Sequence, residues 1–134
     1  MTTTKYNQLV IDHFDHPRNA AAAAVGAQGA LSGGFIAGEG GSVDGGAWIE
    51  FQLKVEQKQI QSACFRAYGC PHTVALASWL TQRLVGETLF GGYTLDKQEI
   101  GAELGWPTEK MRSLLVAEDA IRACAAKLEQ KEDE

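Results

Sequence analysis

The chain has 134 residues, 45% hydrophobic and 22% charged, with a formal net charge of −5. Those proportions belong to one folded domain with its own core, not to a disordered chain. The acidic balance argues against nucleic acid or an anionic membrane as partner and favours a basic protein patch. No stretch approaches the ~20 apolar residues of a membrane span, and Met1-Thr-Thr-Thr-Lys5 carries no apolar secretory core.

Tyr6, Leu9, Val10, His13 and Phe14 share one helical face, and Pro17 stops that helix. Asn19 to Gly34 is rich in Ala and Gly and lacks a large apolar anchor, which predicts a mobile surface segment. A short edge strand is expected around Phe35 and Ile36. The glycine-rich stretch from Gly38 to Gly46, with Glu39 and Asp44, is expected to be a flexible loop. It is not a phosphate-binding loop, because no Gly-Lys-Ser/Thr follows.

Ala47, Ile49, Phe51, Leu53 and Val55 alternate with polar residues and Trp48, which predicts a half-buried strand. Glu56 to Gln59 turns the chain, and Ile60 to Tyr68 returns as the antiparallel partner. Gly69-Cys70-Pro71 ends that strand, with Pro71 suited to the first position of a helix. The next helix carries Val74, Ala77, Ser78, Thr81, Leu84 and Val85, with Gly86 as its stop. A short helix is expected over Leu95 to Leu104. A last one opens at Pro107-Thr108, with Thr108 as N-cap, and carries the stripe Met111, Leu114, Ala117, Ile121, Cys124 and Leu128. The tail from Glu129 is expected to fray. The order predicts an α+β sandwich: a small antiparallel sheet with helices packed on one face, over residues 1–134 as a single domain.

The three cysteines do not make a disulfide framework. Cys64 and Cys70 fall near the two ends of one strand, roughly 20 Å apart at ~3.3 Å per residue. A disulfide needs Cα atoms about 4.4–6.8 Å apart. Reduced thiols and a cytoplasmic location are therefore expected. Cys70 is the candidate for chemistry, because it sits at the N-cap of a helix, whose amides and partial positive charge stabilise a thiolate. His72, two residues on, is a candidate anion stabiliser. Cys124 belongs to an apolar stripe, Cys64 to ordinary packing, and His13 and His16 to the surface. A metal site of Asp44, Cys70 and His72 is the weak alternative, short of the four donors of a tetrahedral site.

Several segments, in order, carry a resemblance. Tyr6 to Asn19 ends in Pro-Arg-Asn, Phe51-Gln-Leu-Lys-Val55 forms a strand, Phe65-Arg-Ala-Tyr-Gly-Cys70 forms the junction, and Ala117-Glu-Asp-Ala-Ile121 lies in the last helix. Together they resemble the IscU/NifU-type scaffold family of iron–sulfur cluster assembly, over nearly the whole chain. The resemblance implies the α+β fold of IscU and of SufE-type sulfur acceptors. It also implies a site where the family builds a cluster on three cysteines, an aspartate and a histidine. Cys70 matches the second cysteine. The family's Cys-Gly-Asp motif corresponds to Gly45-Gly46-Ala47, and its His-Cys pair to Arg112-Ser113. Its chaperone-binding Leu-Pro-Pro-Val-Lys segment corresponds to Trp106-Pro-Thr-Glu-Lys110.

One thiol cannot hold a cluster that normally takes four. No resident cofactor is expected, and a cluster only with ligands shared from another chain. Arg112 would instead stabilise a thiolate or persulfide anion at Cys70. The leading expectation is an accessory in iron–sulfur cluster assembly or sulfur traffic. In it, Cys70 accepts persulfide sulfur from a cysteine desulfurase, and the chain is not a stand-alone enzyme. The alternative is a non-catalytic regulatory or structural subunit that kept the scaffold's partner surfaces, with Trp48 and Trp106 as exposed anchors.

Overall fold

A computed structural model describes residues 8–18, 35–90, 93–106 and 110–133. The expectations for Tyr6, for 19–34 and for Pro107-Thr108 lie outside the described residues. In chain order the elements are α1 (Gln8–Asp15), β1 (Phe35–Ser42), β2 (Ala47–Glu56), β3 (Gln59–Tyr68), α2 (Pro71–Leu84), α3 (Lys97–Leu104) and α4 (Met111–Asp133). The strands form one antiparallel sheet in the order β1-β2-β3. Alternation along β2 buries Ile49, Phe51 and Leu53 on one face, where α4 and α2 cover them. The α+β sandwich expected from the sequence is the observed architecture.

The hairpin between β2 and β3 turns on Gln57 and Lys58, with φ of 54° and 67°. Two successive positive φ values match the right-handed twist of the flanking strands.

The expected loop from Gly38 is corrected: β1 extends to Ser42, and only Val43–Gly46 turns. Gly38 pairs with Phe51 and Gly40 with Ile49, so both glycines face the helix layer. A Cβ on Gly38 would overlap Cys124 N and come 2.7 Å from Ala120 O. One on Gly40 would overlap Val116 O. Bare backbone here lets α4 lie directly on the edge strand. The residues at these contacts, Val116, Ala120 and Cys124, are spaced four apart on one helix face. Ser113, one turn earlier, is thereby carried to the end of the sheet where β3 meets α2.

His13 is also corrected: it is 3% exposed, not on the surface. Its Nδ1 lies 2.7 Å from Ser78 Oγ, which also accepts the Arg18 N–H at 2.8 Å. The Ser78 hydroxyl hydrogen is then available to donate to a neutral imidazole. Burial lowers the pKa of His13 below the ordinary value of 6.5, the Arg18 charge adds to this, and Asp12 opposes it. The unfolded chain therefore takes up this proton first as pH falls. The stability contributed by neutral His13 is complete above about pH 6.5 and is lost as pH falls from there toward the lower folded value. Melting temperature should drop between pH 7 and pH 5.5, and His13→Gln should flatten that part of the profile. An unchanged slope in the variant would reject this role.

Candidate functional site

The site lies where the β1–β2 turn, the β3–α2 junction and the start of α4 meet. Gly69 has φ of 153°, a conformation that side chains rarely adopt, and a Cβ there would sit 2.8 Å from Thr73 Oγ1. Its bareness makes room for the Thr73 side chain. Cys70 follows as N-cap (φ −70°, ψ 170°), with Pro71 in the first turn. The Cys70 carbonyl accepts the Thr73 and Val74 N–H groups at 2.9 and 3.3 Å.

The Cys70 thiol is half-buried. Burial alone would raise its pKa. The Thr73 amide and hydroxyl, the His72 amide and the Lys110 charge outweigh that and hold it below the ordinary thiol value. Its Sγ lies 3.7 Å from Thr73 Oγ1, which in turn lies 3.1 Å from Ser113 Oγ. Thr73 and Ser113 are 1% and 6% exposed.

Of the two candidate stabilisers, His72 acts on the sulfur through its backbone amide. Its ring is buried, edge-on to Trp106 with centroids 5.1 Å apart. Trp106 Nε1 donates to Lys110 O at 2.9 Å. Arg112 is exposed and lies across the β1–β2 turn, with Nη2 2.8 Å from where a Gly45 Cβ would stand. Among the charges, Lys110 contributes to the lowered pKa of the thiol. Trp106 is packed on the core rather than free as an anchor. Trp48 is half-buried, donates to Glu39 at 2.8 Å and lies under the Arg66 guanidinium at 5.6 Å.

The other thiols are elsewhere. Cys64 faces Gln52 Oε1 at 3.2 Å on the outer side of the sheet, where burial and Glu50 raise its pKa. Cys124 is buried on the inner face of α4, its pKa pushed up to about 12 by that burial. Both are poor nucleophiles near neutral pH. A cavity of about 360 Å³ is lined by Trp79, Arg83, Phe90 and Tyr93 among others, and none of the residues around Cys70 lines it.

Among the described residues, no three His, Cys, Asp or Glu side chains are grouped as a metal site would require. Asp44 stands exposed in the β1–β2 turn and the His72 ring faces Trp106, so the trio Asp44, Cys70 and His72 does not form such a group. The donors gathered around Cys70 are hydroxyls, amides and cations. That set does not fit an iron–sulfur cluster, whose irons take thiolate ligands. It suits an anionic sulfur.

Thr73 and Lys110 were not among the residues that the sequence singled out. Thr73 stands three residues after an N-cap, the position whose amide and side chain face the cap, and that spacing was readable. Lys110 has no local signal, because tertiary packing alone brings it to Cys70.

Helices layered on one face of a three-stranded antiparallel sheet, with a thiol at the strand-to-helix junction, define a scaffold-type α+β protein. A crystal structure from Fervidobacterium islandicum, of a candidate iron–sulfur cluster assembly scaffold for the SUF system, shares this fold. Its TM-score is 0.62 at 10% identity, covering 90% of this chain and 96% of that one. The profile described as "NifU-like N terminal domain" matches residues 5–134. The iron–sulfur cluster assembly scaffold protein IscU of Azotobacter vinelandii is 35% identical over 127 residues, 94% of this chain and 95% of that protein. IscU of Escherichia coli is 31% identical over 129 residues, covering 96% and 97% of the two chains. The chain belongs to the IscU/NifU family of iron–sulfur cluster assembly scaffolds.

Proposed function

We propose that this chain serves iron–sulfur cluster assembly as a sulfur acceptor, with Cys70 as the accepting thiol and a cysteine desulfurase as donor partner. The observation that carries this reading is the setting of Cys70. Its pKa is held low by helix-end amides, the Thr73 hydroxyl and Lys110, among neighbours that do not fit a cluster. The Cys70 thiolate attacks the terminal sulfur of a persulfide on the donor. A new S–S bond forms at Cys70, the donor's S–S bond breaks, and the donor cysteine leaves as a thiolate. The transferred sulfur keeps its proton and becomes the outer sulfur of a Cys70 persulfide, so no external oxidant or reductant is needed. The whole chain acts as one unit that exchanges sulfur with proteins rather than as a stand-alone enzyme. Free thiols suit a reducing compartment such as the cytoplasm.

With desulfurase and ³⁵S-cysteine under anaerobic conditions, the chain should gain label that thiol reductants remove. Cys70→Ser should abolish labelling and Cys64→Ser should retain it. Label persisting on Cys70→Ser would overturn the assignment. The misfit between this donor set and a cluster also favours a second reading, a subunit that works only by binding assembly partners. Full cellular function of Cys70→Ala would select it.

A further inference from the structure

We infer that Thr73 is the positioning residue of the Cys70 sulfur, and that Ser113 completes a hydroxyl chain that orients toward the sulfur when it is anionic. This rests on the sulfur-acceptor reading of Cys70. The observation is a continuous line of three side chains. Cys70 Sγ lies 3.7 Å from Thr73 Oγ1, which lies 3.1 Å from Ser113 Oγ. Thr73 and Ser113 are both more than nine-tenths buried, so their hydroxyls find their partners in each other and in the sulfur.

Each hydroxyl has one hydrogen to give and lone pairs to accept with. Beside a neutral thiol, the chain can run in either direction, because a thiol both donates and accepts. A thiolate or a persulfide anion can only accept. Thr73 must then turn its hydrogen toward the sulfur, and Ser113 donates in turn to Thr73 Oγ1. The direction of the chain is thus set by the charge on sulfur, and each bond polarises the next. Gly69 holds the device in place: a Cβ there would crowd Thr73 Oγ1 at 2.8 Å, so the bare residue leaves the Thr73 side chain its position. Ser113 stands where the family resemblance puts a cluster-ligating cysteine. In this chain that position has become a hydrogen-bond donor, which serves a sulfur anion and not an iron.

The test is the pH profile of Cys70 alkylation by iodoacetamide, read by mass spectrometry on the full chain, with no desulfurase present. Thr73→Val keeps the shape and removes the hydroxyl, and should raise the midpoint by about 0.5–1 pH unit, a several-fold slower reaction at neutral pH. Thr73→Ser should restore the profile. Ser113→Ala should raise the midpoint by less. It should add nothing in the Thr73→Val background, because the chain is already broken there. A Thr73→Val midpoint equal to the parent's would overturn the inference. So would a Ser113→Ala effect of equal size with and without Thr73. Should Thr73→Val fail to fold, an unchanged profile in Ser113→Ala is enough to reject the chain. If these shifts appear while Cys70 takes no ³⁵S from a desulfurase, the hydroxyl chain stands and the sulfur-acceptor reading falls.

Discussion

Gly38→Val should destabilise the native fold by about 4 kcal/mol, lowering the melting temperature by on the order of 15 °C or leaving no cooperative transition. The reason is the kind of atom that a side chain would meet. At Gly38 the obstacles are Cys124 N, Ala120 O and Ala123 C, all backbone of α4. Side-chain overpacking typically costs about 1–3 kcal/mol because rotamers can yield. A helix backbone can yield only by lifting off the sheet, which would uncover Phe51 and Ile49 beneath it. The internal control is Gly101→Ala in α3, where nothing lies within 4 Å of the new Cβ. It should gain about 0.5–1 kcal/mol from helix propensity. Thermal unfolding followed by circular dichroism checks both. A Gly38→Val chain that melts with the parent would mean that α4 does not rest on β1.

That contact also explains what the sequence could and could not announce. The period-two alternation of β2 and the Gly69-Cys70-Pro71 junction are local features, and the observed elements follow them closely. β1 has no such signature beyond Ile36, because its inward positions are Gly38 and Gly40, and glycine has no hydrophobic side chain to count. The requirement for glycine is set by a helix some eighty residues later in the chain. His13 is the converse case: a polar residue on an apolar helical face, buried because Ser78 of α2 satisfies its ring nitrogen. Met111, expected on the buried stripe of the last helix, is 39% exposed because the packed face begins at Ser113 and Leu114. At the site, Cys70 was legible from its place at the junction. Of its neighbours, Thr73 was readable from its spacing after the cap and Ser113 only through the family resemblance, while Lys110 had no local signal.

The seating of α4 on the sheet predicts how the chain would regain a cluster. The positions that the family resemblance assigns to missing ligands are not scattered by the fold. Arg112 reaches over Gly45, and Ser113 joins Thr73 beside Cys70, so the start of α4 links position 45 on one side to the thiol's hydroxyl neighbours on the other. Gly45→Cys with Ser113→Cys supplies two more thiolates, one on each side of the start of α4. Arg112 has no lone pair to offer a metal, so that pair still lacks a fourth donor. Its guanidinium is the exposed end of a flexible side chain and can move aside for the new side chain at 45. Adding Arg112→His brings the set to three thiolates and an imidazole. After anaerobic reconstitution with iron and sulfide, the parent chain should show no visible cluster absorption. The double variant should show a chromophore that bleaches quickly in air, and the triple variant one that survives several-fold longer. Iron and acid-labile sulfide per chain should rise in the same order. A parent chain that reconstitutes as fully as the triple variant would show that hydroxyls and cations around a lone thiol can hold a cluster after all, and the sulfur-acceptor reading would lose its ground.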